Sequence, residues 1–435
     1  MRHIFIVQIG LAAVLFFMPL CAESRGIDDL PARARLAILK AAPLMQDGDY
    51  AAAAKKLKAY QDKRAPDDEV DAGGYHHPEV YFTLGNCYLM MARFEQAITA
   101  YQNAVRRDPR YSAAWQNLAR AYYETGQLTE AGRCFDTAYD TADEKKPDLL
   151  YFSALSALMA GDNEQSIARF KRLMAAHPSA MKPQWKESLV HALIGANRSE
   201  AALPHIRDLV NTYTGEKQIQ WQEILLDQYL QLDMTKEALD LAQMFTQNAP
   251  EIDKWWRALA YIYLNNGQYE AALGALIPYS FLTSLTREEK KLFADLCLEV
   301  DIPVKAAPVY EECLQKQPDK KMLRRLVLAY QQLGKPETAL ERIAAFSEDA
   351  NDLDMIRLMA ELHYTLKHYD KAAALYRRAA EIPGGHRGRS WLMAGYASWQ
   401  ADQLTAARNA FLQAKRYNQQ REAARKALRA IASVE

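Results

Sequence analysis

The chain has 435 residues, half of them hydrophobic and a quarter charged, which is the composition of a protein with a large apolar core and excludes a disordered chain. Lys and Arg total 54, as do Asp and Glu, and this balance excludes the broad positive charge of a nucleic-acid-binding protein, leaving only a local basic patch. Five cysteines cannot form a disulfide scaffold, and only 18 glycines and 17 prolines favour a mostly helical chain.

Residues 1–22 predict a secretory signal peptide. Arg2 supplies a short positive region, residues 4–20 are almost wholly apolar and carry no charge, and the small residues Cys21 and Ala22 follow. This order is typical of an export signal cleaved after Ala22, and we expect a periplasmic protein if the source is a Gram-negative bacterium. Two alternatives stay open: an N-terminal membrane anchor facing the periplasm, for which the apolar run is short, and a lipid attached to Cys21.

Behind this segment, a pattern of 34 residues repeats along almost the whole chain. Two adjacent units, which begin at Pro78 and Ser112, carry aromatic, small and apolar residues at the same offsets. In the first unit these are Tyr81, Leu84, Gly85, Tyr88, Ala97, Tyr101 and Ala104, and in the second they are Trp115, Leu118, Ala119, Tyr122, Ala131, Phe135 and Ala138. The pattern resembles the tetratricopeptide repeat (TPR), and the resemblance implies an all-α fold of helix-turn-helix units that stack into a superhelical solenoid.

The recurring residue types have physical roles in a helix pair. Small residues at positions 8, 20 and 27 of a unit let its two helices approach closely, and aromatic residues at positions 4, 11 and 24 fill the groove beside them. Apolar residues spaced at i, i+3, i+4 and i+7 mark the buried face of the first helix. Gly126 suits the turn between two helices, and Pro109 ends a second helix.

The same template fits further along the chain with lower fidelity. We place further units near Pro147, Lys182, Ile219, Asp253, Arg287, Lys320, Leu353 and Gly388. Their small residues at position 20 are Ser166, Ala201, Ala238, Ala272, Ala306, Ala339, Ala372 and Ala407. A degenerate first unit begins near Ala34, so the chain is expected to hold about eleven repeats followed by one capping helix.

Three turn-rich breaks interrupt the period, at residues 65–77, 278–286 and 383–388. They suggest a division of the chain into blocks. The predicted order is a signal peptide over 1–22, N-terminal helices with a degenerate repeat over 23–67, a TPR block over 78–277, a C-terminal TPR block over 287–418 and a capping helix over 419–435.

No motif for catalysis or for a bound metal stands out. The sequence contains no HExxH, GxSxG, GxxxxGK[ST], GxGxxG or CxxC pattern, and the adjacent His76 and His77 fit a solvated loop better than a metal site. Cys297 and Cys313 fall on the facing helices of one unit, either as a disulfide pair or, as we favour, as two small buried residues. We therefore predict a non-enzymatic protein with no cofactor and no metal site.

The TPR resemblance implies a binding groove on the first helix of each repeat, because positions 2, 5, 9 and 12 of that helix face away from the core. The candidate partner-binding residues are Phe82, Asn86, Gln116, Arg120, Tyr123, Tyr151, Arg257, Tyr261, Arg324, Arg357, Tyr364 and Tyr396. Aromatic residues and arginine are enriched in protein interfaces, although Tyr also packs between neighbouring repeats, and that alternative stays open. A known TPR variant grips the C-terminal carboxylate of chaperones with polar residues at positions 5, 9 and 13 of the repeat. Phe82 and Met90 occupy two of these positions here, so we expect no binding of chaperone C-termini.

Residues 255–314 carry a closer resemblance, to the exported TPR proteins encoded beside TonB energy-transduction components in many proteobacteria. The stretch that carries it includes Trp256, Leu259, Ala260, Tyr263, Ala272, Leu273, Leu276, Leu285, Glu288, Glu289, Pro303, Lys305, Ala306 and Ala307. Thr283 and Ser284 depart from the pattern, which usually has a glycine before the leucine of this connector. The resemblance implies a periplasmic accessory whose protein partners are TonB, ExbB or ExbD-type components, and it assigns no binding residue.

Two other functions fit the same fold. One is a scaffold for exopolysaccharide secretion or envelope assembly, and the other is a carbohydrate-binding protein that stacks sugars on Tyr151, Tyr261 and Trp399. We expect no nucleic-acid partner, and we expect membrane contact only through partners or through an uncleaved or lipidated N-terminus.

Overall fold

The structure, a computed structural model, describes residues 30–63, 73–346, 352–383 and 386–432. Within these ranges every regular element is helical. The helices are α1 (Ala32–Gln46), α2 (Tyr50–Gln61), α3 (Pro78–Met90), α4 (Phe94–Arg107), α5 (Ser112–Glu124), α6 (Leu128–Thr141), α7 (Pro147–Met159), α8 (Asn163–Ala176), α9 (Pro183–Gly195), α10 (Ser199–Thr212), α11 (Gly215–Gln231), α12 (Thr235–Asn248), α13 (Asp253–Asn265), α14 (Tyr269–Leu282), α15 (Arg287–Glu299), α16 (Pro303–Lys316), α17 (Lys320–Gln332), α18 (Pro336–Phe346), α19 (Leu353–Thr365), α20 (Tyr369–Glu381), α21 (Arg387–Gln400), α22 (Leu404–Ala414) and α23 (Arg421–Ala432).

The helices follow the predicted repeat period, so the expected all-α repeat fold is confirmed. Every predicted repeat begins within two residues of the start of a first helix, except the repeat placed at Ile219, whose first helix α11 begins earlier, at Gly215. A short 3-10 turn at Pro178–Ala180 is the one further helical segment among the described residues. The predicted signal peptide lies outside the described residues.

The chain forms two compact units that divide between Leu232 and Asp233. Unit 1 contains α1 to α11, and unit 2 contains α12 to α23. Inside each unit, consecutive helices pack against one another along the chain, which is the nearest-neighbour packing expected of repeats.

Left-handed residues make the tight turns between the two helices of a repeat. Gly126 has φ = 74°, as its predicted place in the turn requires, because a residue without Cβ adopts this conformation without steric penalty. Asn197 and Asp402 adopt the same conformation in other repeats, with φ of 57° and 58°. Asn and Asp tolerate it better than other side chains do, so the turn survives where glycine is missing.

Small residues let the two helices of a repeat touch, as predicted. Ala97 and Ala131 are fully buried at position 20. The prediction was wrong by one residue in α10, where Ala201 is exposed and Ala202 is fully buried. The reason is that α9 begins at Pro183, one residue after the start we assigned, which shifts the register of the whole repeat.

The cysteines inside the repeats are buried free thiols. Cys297 and Cys313 form no disulfide, so the interpretation that we favoured for this pair is confirmed. Burial raises the pKa of Cys297 to about 11, because the thiolate would lose its hydration. These residues therefore fill space between α15 and α16 as small apolar side chains.

Candidate partner-binding surface

We define the first-helix face as the surface made by the first helices of successive repeats. In unit 1 these helices touch directly, α1 against α3, α3 against α5 and α7 against α9. A partner that lies across this face would therefore meet several repeats at once. The predicted binding residues all belong to first helices, and the structure divides them into a buried group and an accessible group.

Three of the predicted binding residues are buried by the neighbouring repeat, namely Phe82, Asn86 and Tyr151. The ring of Phe82 packs against that of Tyr111, with centroids 4.9 Å apart. Tyr151 stacks on Trp185 at 4.7 Å with an angle of 11° between the rings. Because these side chains already pack inside the stack, they offer almost no surface to a partner. Tyr151 packs between neighbouring repeats, which was the alternative to a binding role for the groove tyrosines.

Asn86 is a hydrogen-bond centre inside unit 1. Its Oδ1 accepts a bond of 2.7 Å from the Tyr101 hydroxyl and one of 2.8 Å from the Nδ2 of Asn117 in the next repeat. A buried acceptor with two donors is well satisfied, and the arrangement fixes α3 against α4 and α5. Burial raises the pKa of the Tyr101 hydroxyl, whereas the nearby amide of Asn117 and the charge of Arg120 act in the opposite direction.

The accessible part of the face in unit 1 is formed by Gln116, Arg120 and Tyr123, which are all half-buried on α5. The Tyr123 hydroxyl lies 3.0 Å from the sulfur of Met159, at the end of α7. Met159 and Met90 occupy the last turns of their first helices and are 41% and 42% exposed. These two methionines were not among the predicted groove residues, although a large apolar residue at position 13 of a repeat was the available signal.

Three of the four predicted arginines lie near carboxylates, two of them near a carboxylate of the next repeat. In unit 2 the Nε of Arg257 lies 3.2 Å from Oε1 of Glu289, and Arg324 forms an ion pair with Asp354. Arg357 lies 4.0 Å from the same Asp354. Arg257 and Arg324 therefore connect the first helices of successive repeats, whereas Arg357 pairs within its own helix α19. The charges of all three are partly compensated within the chain.

Arg120 differs from the other three arginines of the predicted groove. Its Nε is buried and has no hydrogen-bond partner, and no carboxylate of the described residues forms an ion pair with it. An unsatisfied buried donor destabilises the fold by about 1–3 kcal/mol. A carboxylate supplied from outside would satisfy the guanidinium with charge-assisted hydrogen bonds.

Aromatic residues of the predicted groove in unit 2 are partly used in packing. Tyr364 contacts Tyr369 edge to face at 5.4 Å, and Tyr396 meets Phe411 in the same way at 5.1 Å. The guanidinium of Arg257 lies 5.9 Å from the Tyr261 ring. All three tyrosines are half-buried, so each keeps part of its surface available while it supports its own repeat.

The described residues hold no cluster of three or more His, Cys, Asp or Glu side chains that could bind a metal ion. In the same ranges, no helix is both long enough and apolar enough to span a membrane. The solvated loop expected around His76 was wrong, because this ring is buried and its Nδ1 lies 2.9 Å from the Tyr81 hydroxyl. His77 instead caps α3, where its Nδ1 accepts from the backbone N–H of Glu79.

Comparison with known proteins identifies similar repeats. The tetratricopeptide repeat family profile matches residues 82–147 and 324–386. The chain is 34% identical over 71 residues to a TPR repeat-containing protein of Pseudomonas aeruginosa, covering 16% of this chain and 68% of that protein. It is 20% identical over 335 residues to tetratricopeptide repeat protein 21A of mouse, covering 71% of this chain, and it spans only 25% of the length of that relative.

Solved structures that align with this chain include a tetratricopeptide repeat protein from Parabacteroides merdae. It shares 14% identity with a TM-score of 0.33 and covers 68% of this chain and 98% of its own. A chain from the structure of Naa15/Naa10 bound to HypK-THB also shares 14% identity, with a TM-score of 0.35, and covers 87% of this chain and 68% of its own.

Proposed function

Because the chain belongs to the tetratricopeptide repeat family, we propose that it is an exported, non-enzymatic scaffold that binds a protein partner along the first-helix face of unit 1. Tetratricopeptide arrays are scaffolds suited to protein–protein interaction, since each repeat extends one continuous surface. The observation that carries the proposal is Arg120, a half-buried residue on this face whose guanidinium has no carboxylate partner among the described residues.

The partner segment carries an acidic side chain beside an apolar one. The acidic group pairs with Arg120, while Tyr123, Met90 and Met159 offer apolar surface on the neighbouring first helices. Met side chains adapt to the shape of a partner, and Tyr and Arg are the residue types that dominate binding energy in interfaces.

The proposal places the scaffold in the periplasm of a Gram-negative source, because residues 1–22 have the layout of an export signal. The resemblance of residues 255–314 to TonB-associated TPR proteins supports a role as an accessory of a TonB-type energy-transduction complex. The partner is then a TonB, ExbB or ExbD-type component.

Photocrosslinking in the native cell tests the binding surface. The photoreactive residue p-benzoylphenylalanine replaces Tyr123 in one variant, and as a control it replaces Lys171, an exposed residue on the second helix α8. We expect one dominant crosslinked protein from position 123, none from position 171, and loss of the product when Arg120→Glu is added. Equal products from both positions, or none from either, contradict the proposal.

Two further measurements separate the finer parts of the proposal. Mass spectrometry of the purified protein should find a chain that begins at Glu23, and an intact Met1 on protein that stays in the cytoplasm would refute export. Sequencing of the crosslinked product identifies the partner. An envelope-assembly or exopolysaccharide component in place of a TonB-type protein would replace the transport role and leave the binding surface intact.

A further inference from the structure

The last described helix, α23, concentrates positive charge on one of its sides. Residues 403–432 contain seven basic residues and a single acidic one, although the whole chain has no net charge. Four of the basic residues lie on α23 and all four are exposed, namely Arg421, Arg425, Lys426 and Arg429. We call these four residues the C-terminal basic face.

Helix geometry separates this face from the side of α23 that caps the array. Successive residues of an α-helix are rotated by about 100°, so the three arginines, spaced four residues apart, share one side. The buried residues on the opposite side are Ala424, Ala427 and Ile431. They join the apolar cluster around Phe411 of α22. Capping uses only this apolar side, and neutral polar residues would solvate the outer side equally well, so the excess of positive charge calls for another explanation.

Most of this charge is not compensated inside the chain. Elsewhere in unit 2 an arginine such as Arg324 pairs with a carboxylate of the next repeat. The cations on and just before α23 that form no ion pair with another described residue are Lys415, Arg416, Arg421, Arg425 and Arg429. Lys426 lies 3.1 Å from Glu422, but the two side chains are 75% and 83% exposed, so water screens this pair strongly. The positive field of the face therefore extends into the solvent.

The composition of the face fits the surface of an anionic bilayer. Apart from Ala432, every exposed residue of α23 is charged. Interfaces between proteins take most of their binding energy from aromatic and apolar groups, and lysine is depleted there. Base recognition in nucleic acids uses amide and aromatic side chains beside arginine, and the exposed side of α23 has neither. Anionic phospholipid headgroups present dense negative charge without pockets, so basic side chains alone are enough to attract them.

We propose that the C-terminal basic face binds the surface of a bilayer that contains anionic phospholipid, with α23 lying along the headgroups. The apolar side of α23 stays packed on α22, so the helix rests on the surface without inserting. Each Lys or Arg held at such a surface raises the affinity about fivefold, and a cluster of four is sufficient for binding. This contact adds a route to the membrane beyond the two expected from the sequence, which were protein partners and the N-terminus.

Cosedimentation of the full-length chain, purified after any processing, with lipid vesicles tests the proposal. Vesicles of phosphatidylglycerol and phosphatidylcholine in equal parts should pellet the chain at about 0.1 M salt and release it at about 0.5 M, because salt screens the attraction. Vesicles of phosphatidylcholine alone should not pellet it.

A charge-removing variant assigns the binding to α23. Combining Arg421→Gln, Arg425→Gln and Arg429→Gln should weaken binding at least tenfold, and glutamine keeps the helix propensity of arginine. The matched control combines Lys55→Gln, Lys171→Gln and Lys236→Gln, which remove the same net charge from exposed positions of three other second helices. The control should pellet like the unaltered chain.

Four outcomes overturn the proposal. The first is a chain that stays in solution with the anionic vesicles at low salt. The second is a loss of binding that is equal in the variant and the control. The third is pelleting with phosphatidylcholine alone that the arginine variant does not change, which would assign membrane contact to the N-terminal segment. The fourth is a basic face that ignores the vesicles but binds double-stranded DNA or polyglutamate. None of these outcomes depends on Arg120 or on the partner proposed for unit 1.

Discussion

The close contact between the two helices of a repeat can be tested by replacing Gly395 and Gly274 with alanine in separate variants. The two changes are expected to affect stability in opposite directions. Both glycines lie inside helices of unit 2. A Cβ added at Gly395 would stand 2.5 Å from Cε1 and 2.6 Å from Cδ1 of Phe411, whereas a Cβ added at Gly274 meets nothing within 4 Å. Replacing glycine by alanine inside a helix is worth about 1 kcal/mol by itself.

The net effect at Gly395 depends on whether Phe411 can move. Its ring is fully buried and touches Tyr396 and Trp399, with centroids 5.1 and 6.4 Å away. Overpacking a core of this kind costs about 1–3 kcal/mol. After the gain in helix propensity, Gly395→Ala should destabilise α21 and α22 by up to about 2 kcal/mol, whereas Gly274→Ala should stabilise α14 by about 1 kcal/mol.

Native-state hydrogen exchange followed by mass spectrometry is the appropriate assay. A repeat protein with two units does not unfold in one step, so a single free energy of unfolding would be ill defined, whereas exchange reports the opening of each helix separately. We expect faster exchange in α22 for Gly395→Ala and slower exchange in α14 for Gly274→Ala. If both variants shift exchange in the same direction, the close approach of Gly395 to Phe411 does not determine stability, and the packing argument fails.

Three other predictions concern single side chains. Arg120→Ala should abolish the crosslink from position 123 without lowering the melting temperature, because the guanidinium has no ion pair to lose and its buried Nε has no hydrogen-bond partner; a large drop in melting temperature would show a structural role. Cys297 should resist alkylation in the folded chain at about pH 8, because a pKa of about 11 leaves about one thiol in a thousand ionised, and rapid labelling would contradict its burial. Burial raises the pKa of the Glu289 carboxyl, but the hydrogen bonds from Thr286 and the charge of Arg257 lower it more, so the pKa in the folded chain is below the unfolded value. The ionised carboxylate therefore stabilises the fold at pH values above its unfolded-state pKa, and this contribution is lost as the pH falls through the folded-state pKa. Glu289→Gln should therefore flatten the acid limb of a plot of melting temperature against pH, and an unchanged limb would refute this assignment.

The repeat period predicted the helices well because it records contacts inside one repeat. The residue at position 20 is small where the two helices of a repeat touch, and that condition can be recognised in the sequence of the repeat itself. The slip at Ala201 arose at a unit whose first helix starts with Pro183, where the template offered no second landmark to fix the register. A proline at the first helical position is such a landmark, since its missing N–H is not needed there.

The binding face was harder to predict because burial there depends on the next repeat. Phe82 is covered by Tyr111, and Asn86 is bound by Asn117, residues about thirty positions further along the chain. The position rule for the groove considers one helix at a time and cannot include these neighbours. The end of α14 was missed for a related reason, since the stretch that contains Phe281 was taken for a loop, whereas it ends a helix that Tyr279 holds through its bond to Glu289.

The charges of the first-helix face are informative only after internal pairing is considered. In the sequence, Arg120, Arg257 and Arg324 look alike, because each is a cation at a position that faces away from the core. In the structure, Arg257 and Arg324 connect one first helix to an acidic residue of the next, so a partner would have to break an existing ion pair to use them. The exposed pair of Arg324 with Asp354 contributes about 0–1 kcal/mol, too little to stabilise the stack by itself but enough to reduce the attraction for an outside carboxylate. Arg257 is held by the buried carboxylate of Glu289. A cation with no internal partner has no such competition, and for that reason Arg120 outweighs the more exposed arginines as the anchor of the proposed interface.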